Sequence, residues 1–227
     1  MPYLGLDTAT SRGSVALARP GEVLGETSLP DRGAHARDLL TSVDRILRSA
    51  GLESRDLLGV GVAVGPGSFT GVRVGMATAK GLGYALRIGV AGISTLEAIA
   101  RAAAGAGRDA VCAAIGAGRG EVYGALFRFD RGEPVRTAPD RSYRPANLAG
   151  TLPEGCLLVG DGATMILAEV ASGEGGRFAV LEPFPLLAGT IALWASSTIA
   201  PGTAYRAGSL GPNYVRPSDA ETARRRP

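Results

Sequence analysis

Histidine is almost absent from this chain: His35 is the only one in 227 residues. A multi-histidine metal centre is thereby excluded. His35 alone could act as a general base, but no Ser or Cys nucleophile motif accompanies it. Its position at the start of a helical pattern reads as a surface or interface residue. Cysteine is scarce too. Cys112 and Cys156 lie in no CxxC or Cys/His cluster, so two buried thiols in a reducing, cytoplasmic compartment are expected. Charge of one sign is not in excess, with 24 Lys and Arg against 21 Asp and Glu. A formal +3 does not by itself imply nucleic-acid binding. The tail Arg224-Arg225-Arg226 could touch RNA, but it reads first as a solvated terminus. No long hydrophobic run is present. The longest, residues 186–200, is interrupted by Gly189, Thr190, Ser196, Ser197 and Thr198 and falls short of the ~20 residues of a membrane span. A core helix is expected there, with no membrane association. No basic-then-apolar leader is seen, so no secretory signal is expected.

Glycine, in contrast, is abundant at 34 residues, while aromatics make up 5%. Tight turns and close helix packing follow. The length suits one or two domains. Residues 3–7 are a short apolar run ending in Asp7-Thr8-Ala9-Thr10; with strands predicted over 13–18 and 22–29 they form an antiparallel meander. Ala36, Leu39, Leu40, Val43, Ile46, Leu47 and Ala50 recur at helical spacing, predicting a helix over 36–50 that Gly51 ends. A strand covered on both faces is predicted over 57–64, then a helix over 70–86, a strand over 87–91 and a helix over 95–104. Residues 105–108 read as a boundary, after which the order restarts. Strands are predicted over 109–115, 121–129 and 133–138, a strand over 157–159, a helix to about 170, a strand near 178–181 and the 186–200 helix. The expected architecture is α/β with two similar halves, 1–105 and 106–227. Meanders feeding a parallel core are the plan of actin-like folds (the ASKHA group, with a ribonuclease H-like motif).

Three features carry the functional reading. Gly65-Pro66-Gly67-Ser68-Phe69-Thr70-Gly71 joins a buried strand to a helix. Such a loop can cradle a phosphate with backbone N–H groups, yet it lacks P-loop spacing and its lysine; a tight turn capped by Ser68 or Thr70 is the alternative. Gly71, Gly75, Ala79 and Gly83 recur every four residues along the helix, flanked by Val72, Met76 and Leu86. That smooth ridge fits either internal packing or a subunit interface, to which an adaptable Met adds little. Asp7 with Thr8, and Asp161 within Gly160-Asp161-Gly162, end strands where an actin-like fold faces phosphates and Mg²⁺. Turn formation and helix capping are their other readings.

Taken together these segments resemble the TsaB family, also called YeaZ. The resemblance is carried by Leu6-Asp7-Thr8-Ala9-Thr10; His35; the Gly65–Gly71 string continued by Val72-Arg73-Val74-Gly75; Ala79-Lys80-Gly81-Leu82; Gly92-Ile93-Ser94-Thr95-Leu96; Glu121-Val122-Tyr123; Gly160-Asp161-Gly162; and Pro212-Asn213-Tyr214-Val215-Arg216. It implies a role in forming N6-threonylcarbamoyladenosine at adenosine 37 of ANN-decoding tRNAs. In that role the chain would be a scaffold for a catalytic TsaD-type partner, with a TsaE-type ATPase and tRNA joining the complex and a homodimer forming when the partner is absent. The helices over 36–50 and 70–86 would meet the partner, with His35, Leu39, Leu40, Val43, Val72, Gly75, Met76, Ala79 and Gly83 as interface residues. Asp7, Thr8, Gly67, Ser68 and Asp161 would face any nucleotide. The resemblance assigns no cofactor to this chain alone; ATP or ADP with Mg²⁺ would belong to the partner complex.

Two departures bear on chemistry. The catalytic relative holds its metal through two histidines four residues apart, and Thr95 and Ile99 stand at the matching places, where neither replaces an imidazole. Gly116 stands where the family usually carries Asp. No catalytic residue and no metal ligand is therefore expected. The competing readings are a stand-alone actin-like ATPase or small-molecule kinase, and a metallopeptidase, which the single histidine disfavours.

Overall fold

The computed structural model describes residues 1–30, 35–170, 177–206, 208 and 210–215, without the side chains of residues 35–37. Its first sheet is an antiparallel meander of β1 (Tyr3–Asp7), β2 (Ser14–Arg19) and β3 (Glu22–Ser28), extended by β4 (Gly59–Ala63) and β5 (Gly89–Ile93). The strand order is β3-β2-β1-β4-β5, with β1, β4 and β5 parallel. α1 (His35–Ser49) links β3 to β4, α2 (Phe69–Leu86) links β4 to β5, and α3 (Thr95–Ala102) follows. The buried apolar runs of β1 and β4 explain their central place, since parallel strands are covered on both faces.

The second sheet repeats this order. β6 (Ala110–Gly118), β7 (Glu121–Asp130) and β8 (Glu133–Arg136) form its meander, and β10 (Leu157–Val159) and β11 (Ala179–Val180) its parallel strands. α5 (Ala163–Leu167) joins β10 to β11, and α6 (Ala188–Thr198) comes last. Three elements were not anticipated: a 3₁₀ turn over Ser54–Asp56, β9 (Arg141–Tyr143), which pairs with β7, and α4 (Pro145–Thr151). Three residues are too few to reveal alternation, and α4 pairs Pro145 at its first turn with Gly150 near its end, a combination that reads as a loop. No helix among the described residues is long and apolar enough to cross a membrane.

The expected division into residues 1–105 and 106–227 falls between the two sheets, but their covering helices are exchanged. α3 packs on β6, β7 and β8, whereas α6 packs on β1, β2 and β4. The reason lies in glycine. A Cβ on Gly5 would overlap the Ala188 carbonyl, and one on Gly61 would come 2.8 Å from the Ala195 methyl. β1 and β4 therefore admit α6 at very short range. The Ser14 hydroxyl accepts the Ala188 N–H at 3.1 Å and the Glu26 carboxylate accepts the Gly189 N–H at 2.8 Å, satisfying the donors that a helix start leaves open.

Of the two readings of the α2 glycine ridge, the structure shows internal packing within this chain. Its buried residues are Gly71, Val72, Gly75, Met76, Ala79 and Gly83. A Cβ on Gly71 would collide with the Thr8 carbonyl, on Gly75 with the Thr8 hydroxyl, and on Gly83 with Val90. The ridge thus lies on the chain's own first sheet, and Gly75, Ala79 and Gly83 present no surface to another molecule. Val72, Met76, Leu39 and Val43 are likewise core residues. Of the expected interface residues only Leu40, 57% exposed, faces outward; the His35 side chain lies outside the described residues, as does the Arg224–Arg226 tail. The outward stripe of α2 is instead Arg73, Ala77, Gly81 and Tyr84.

Two glycine substitutions should therefore have opposite signs. Gly5→Ala must displace α6 and should lower stability by about 1–3 kcal/mol. Gly81→Ala, at a helical position with nothing within 4 Å, should raise it by roughly 0.4–1 kcal/mol. Urea unfolding midpoints of both variants check the contrast.

Candidate functional site

A cleft of about 460 Å³ runs between the two sheets, lined by Ala9, Thr10, Ser11, Gly67, Ser68, Ile115, Gly116, Gly118 and Asp161. Each half builds its wall in the same way. The loop after the inner strand folds back onto the end of the first strand: the Ser68 N–H donates to the Ala9 carbonyl at 2.8 Å, and the Gly162 N–H to the Ala114 carbonyl at 3.0 Å. Side chains are excluded at these crossings, because a Cβ on Gly67 would strike the Ala9 carbonyl and one on Gly160 the Ala114 carbonyl. Both glycines have positive φ, +157° and +113°, and at Gly160 that conformation itself favours glycine.

The structure divides the five residues expected to face a nucleotide. Gly67, Ser68 and Asp161 line the cleft. Asp7 and Thr8 do not; both are fully buried. The Asp7 carboxylate accepts the N–H groups of Ala9 at 2.8 Å and Thr10 at 3.3 Å and the Thr10 hydroxyl. This is the turn-forming arrangement of an Asx turn. Burial is the main cause that pushes the Asp7 carboxyl up to about 6, and its three hydrogen bonds oppose the rise. The Thr8 hydroxyl donates to the Gly71 carbonyl at 2.7 Å, tying β1 to the first turn of α2. Ser68 caps α2 by accepting the Gly71 N–H at 3.2 Å, and the Asp161 carboxylate accepts the Gly116 N–H at 2.9 Å.

An actin-like fold implies a Mg-nucleotide here, and the residues present do not fit one well. Among the described residues no Lys, Arg or His lines the cleft. The carboxylate at the end of β1 is turned into its own loop, and Gly116, where the resemblance expects an acid, lines the cleft without a side chain. Thr95 and Ile99 are both fully buried, and the Thr95 hydroxyl has no hydrogen-bond partner. Among the described residues no group of three or more His, Cys, Asp or Glu is placed to hold a metal ion. What the cleft offers is three hydroxyls, one carboxylate and backbone N–H groups.

Sequence reasoning missed Thr10 and Ser11, although they directly follow Asp7. It also missed a surface cluster beside the cleft loop. The Arg73 guanidinium stacks over the Phe69 ring at 3.7 Å and donates to the Tyr214 hydroxyl at 2.9 Å, and the two rings stack at 5.5 Å. Residues 141 positions apart carry no local signal of contact.

Comparisons with known proteins agree with this geometry. Residues 23–160 match the family model described as TsaD, tRNA N6-adenosine threonylcarbamoyltransferase. The tRNA threonylcarbamoyladenosine biosynthesis protein TsaB of Escherichia coli strain K12 is 40% identical over 131 residues, covering 57% of this chain and 56% of that protein. TsaB of Bacillus subtilis is 32% identical over 155 residues, covering 68% and 67%. The chain thus spans about half to two thirds of the length of these curated relatives. A Pseudomonas aeruginosa crystal structure, described as an uncharacterized protein with similarity to peptidase YEAZ, superposes with a TM-score of 0.77 at 26% identity, covering 95% of this chain and 99% of that one. Component A of Acidaminococcus fermentans (R)-2-hydroxyglutaryl-CoA dehydratase, at 11% identity and TM-score 0.56, covers 87% of this chain and 98% of its own, and shares the fold alone. The fold is actin-like.

Asp7 gives a pH test. A carboxyl whose pKa is about 6 when folded, against an ordinary 3.8, binds its proton more tightly in the folded state. Its stabilisation is full below about pH 3.8 and is lost as the pH rises through 6, a change on the order of 3 kcal/mol. Asp7→Asn keeps an acceptor for the turn and cannot ionise. In urea unfolding it should therefore be at least as stable as the wild type at pH 7.5, and should lose that advantage at pH 4. Equal destabilisation at both pH values would contradict this account of Asp7.

Proposed function

This chain belongs to the TsaB (YeaZ) family, and from that membership we propose that it is a non-catalytic subunit. It binds and activates a TsaD-type catalytic protein that forms N6-threonylcarbamoyladenosine at adenosine 37 of ANN-decoding tRNAs. The relatives named as threonylcarbamoyladenosine biosynthesis proteins support the pathway. One observation supports the non-catalytic role above the rest: the carboxylate that ends β1, where an actin-like enzyme would use it, is fully buried and committed to its own turn. Thr95 and Ile99, buried in the core, add to it.

The docking face in this reading is the outward side of α2 with the exposed part of α1. Tyr84 is 81% exposed and Leu40 57% exposed. Ala77 and Gly81 lie along the α2 stripe and would let a partner helix approach closely. Phe69, 39% exposed, and Tyr214, 44% exposed, extend the apolar surface at the helix start. A TsaE-type ATPase and tRNA join through the complex, a second copy takes the face when the partner is absent, and the complex is cytoplasmic. ATP or ADP with Mg²⁺ belongs to the junction with the partner. The competing reading, a stand-alone ATPase or small-molecule kinase, requires Mg-ATP binding and turnover by the purified chain, which calorimetry and a phosphate-release assay measure.

Substitutions on the two sides of α2 separate docking from folding. Tyr84→Glu should keep the unfolding midpoint near wild type and Gly81→Leu should keep or raise it. Both should weaken binding to the TsaD-type partner by roughly 30-fold or more, the scale of an interface hot spot. Gly75→Leu should instead fail at the level of folding. Calorimetric titration of the purified partner checks this, and wild-type affinity in both outward-face variants would overturn the docking face.

A further inference from the structure

One carboxylate of the second half, Asp140, reaches residues of the first half away from the floor of the cleft. Asp140 lies between β8 and β9. One of its oxygens accepts the Ser94 hydroxyl at 2.7 Å and the Asn213 side-chain N–H at 2.6 Å. The other accepts from Arg136. Ser94 and Asn213 both pack with the first sheet, and Ser94 stands where the chain passes to the second half. Ser94 ends the path from β5 and caps α3, accepting the Glu97 N–H at 3.4 Å, and α3 is the helix that crosses to the second sheet. Asn213 lies in the segment that follows α6 back across the first sheet.

Asn213 reaches further than Asp140. Its backbone N–H donates to the Val64 carbonyl at 2.8 Å, and its side chain also approaches the Gly65 carbonyl at 3.4 Å. The Gly65 carbonyl accepts the Thr95 N–H at 2.8 Å as well. A Cβ on Gly65, whose φ is +102°, would sit 2.9 Å from the Asn213 carbonyl oxygen. Gly65 opens the loop that forms one wall of the cleft and leads into α2. The neighbour of Asn213, Tyr214, stacks on Phe69 in the first turn of α2. A continuous path of hydrogen bonds and ring contact therefore runs from Asp140 through Asn213 to the cleft loop and the start of α2.

We propose that Asp140, acting through Asn213 and Ser94, is a positioning residue that latches the second half onto the first and fixes the 65–71 loop and the first turn of α2. The side-chain relative exposure of Asp140 is 9%, so its hydrogen bonds are formed with little competition from water. Breaking them leaves the Ser94 hydroxyl and the Asn213 carboxamide to find new partners together. The latch explains why a segment so close to the C-terminal end of the described chain is held against the cleft loop. The proposal is independent of the tRNA pathway, because it concerns how the halves hold each other.

Amide hydrogen exchange on the full chain tests the latch. Asp140→Ala and Asn213→Ala should each speed exchange across residues 65–72 by about tenfold, the scale expected when a charge-assisted hydrogen bond is lost from a local opening. The double variant should exchange no faster than the more affected single one, because both act through one joint. Asp140→Asn can keep an oxygen toward Ser94 and Asn213 and gives up the ion pair with Arg136, so it should remain near wild type. Exchange across β6 and β7 should be unchanged in Asn213→Ala, which provides the test should Asp140→Ala not fold. Exchange at residues 65–72 within twofold of wild type in Asn213→Ala would overturn the latch. So would an Asp140→Asn variant as fast as Asp140→Ala, which would assign the effect to the Arg136 ion pair.

Discussion

Thr8 and the first two turns of α2 touch with no space between them, and most of the molecule's character follows from that contact. Gly71 and Gly75 lie where any Cβ would strike Thr8, and the Thr8 hydroxyl donates to the Gly71 carbonyl at 2.7 Å. The helix is thereby fixed over the end of β1. Its small-residue side is occupied by the first sheet, so only the opposite side is left to meet another molecule. The same closeness leaves the turn after Asp7 no freedom to open, and the Asp7 carboxylate serves the Ala9 and Thr10 N–H groups.

The second organising contact is the exchange of helices. α6 lies on β1 and β4 because Gly5 and Gly61 leave room for it, and α3 covers β6, β7 and β8. Each sheet is completed by a helix that the other half's order would assign elsewhere. Cutting the chain between the sheets would strip each of the helix that covers it. The segment after α6 returns to the cleft loop for the same reason, since α6 already places it beside β4 and β5.

Much of the fold was legible because it rests on local patterns. β1, β10 and the first-half helices lie within one or two residues of their predicted bounds, each marked by an apolar run or helical spacing and closed by a glycine, a cap or a turn. The direction that α2 faces was not legible. A ridge of Gly71, Gly75, Ala79 and Gly83 suits a sheet as well as another helix, and only the position of Thr8, more than sixty residues away in sequence, decides between them. Asp7 was ambiguous for a related reason: a carboxylate after a strand serves a turn or a metal alike, and burial settles the choice. Ser68 and Asp161 line the cleft, and the signal that pointed to them was a strand-to-helix turn in each half. Asp140, Asn213 and the ring pair Phe69–Tyr214 depend on contacts across the whole chain, which no spacing encodes.

What unites these features is an actin-like fold whose cleft, among the described residues, is lined by one carboxylate and three hydroxyls, and whose α2 helix has an exposed outer stripe. The most direct measurement is the threonylcarbamoyladenosine content of tRNA, read by mass spectrometry of nucleosides from cells depleted of this protein and complemented with defined variants. A non-catalytic subunit predicts that the modification falls on depletion and returns with the wild type and with a Ser68→Ala, Asp161→Ala cleft variant alike. Unchanged modification on depletion, or a folded cleft variant that fails to restore it, would contradict the account.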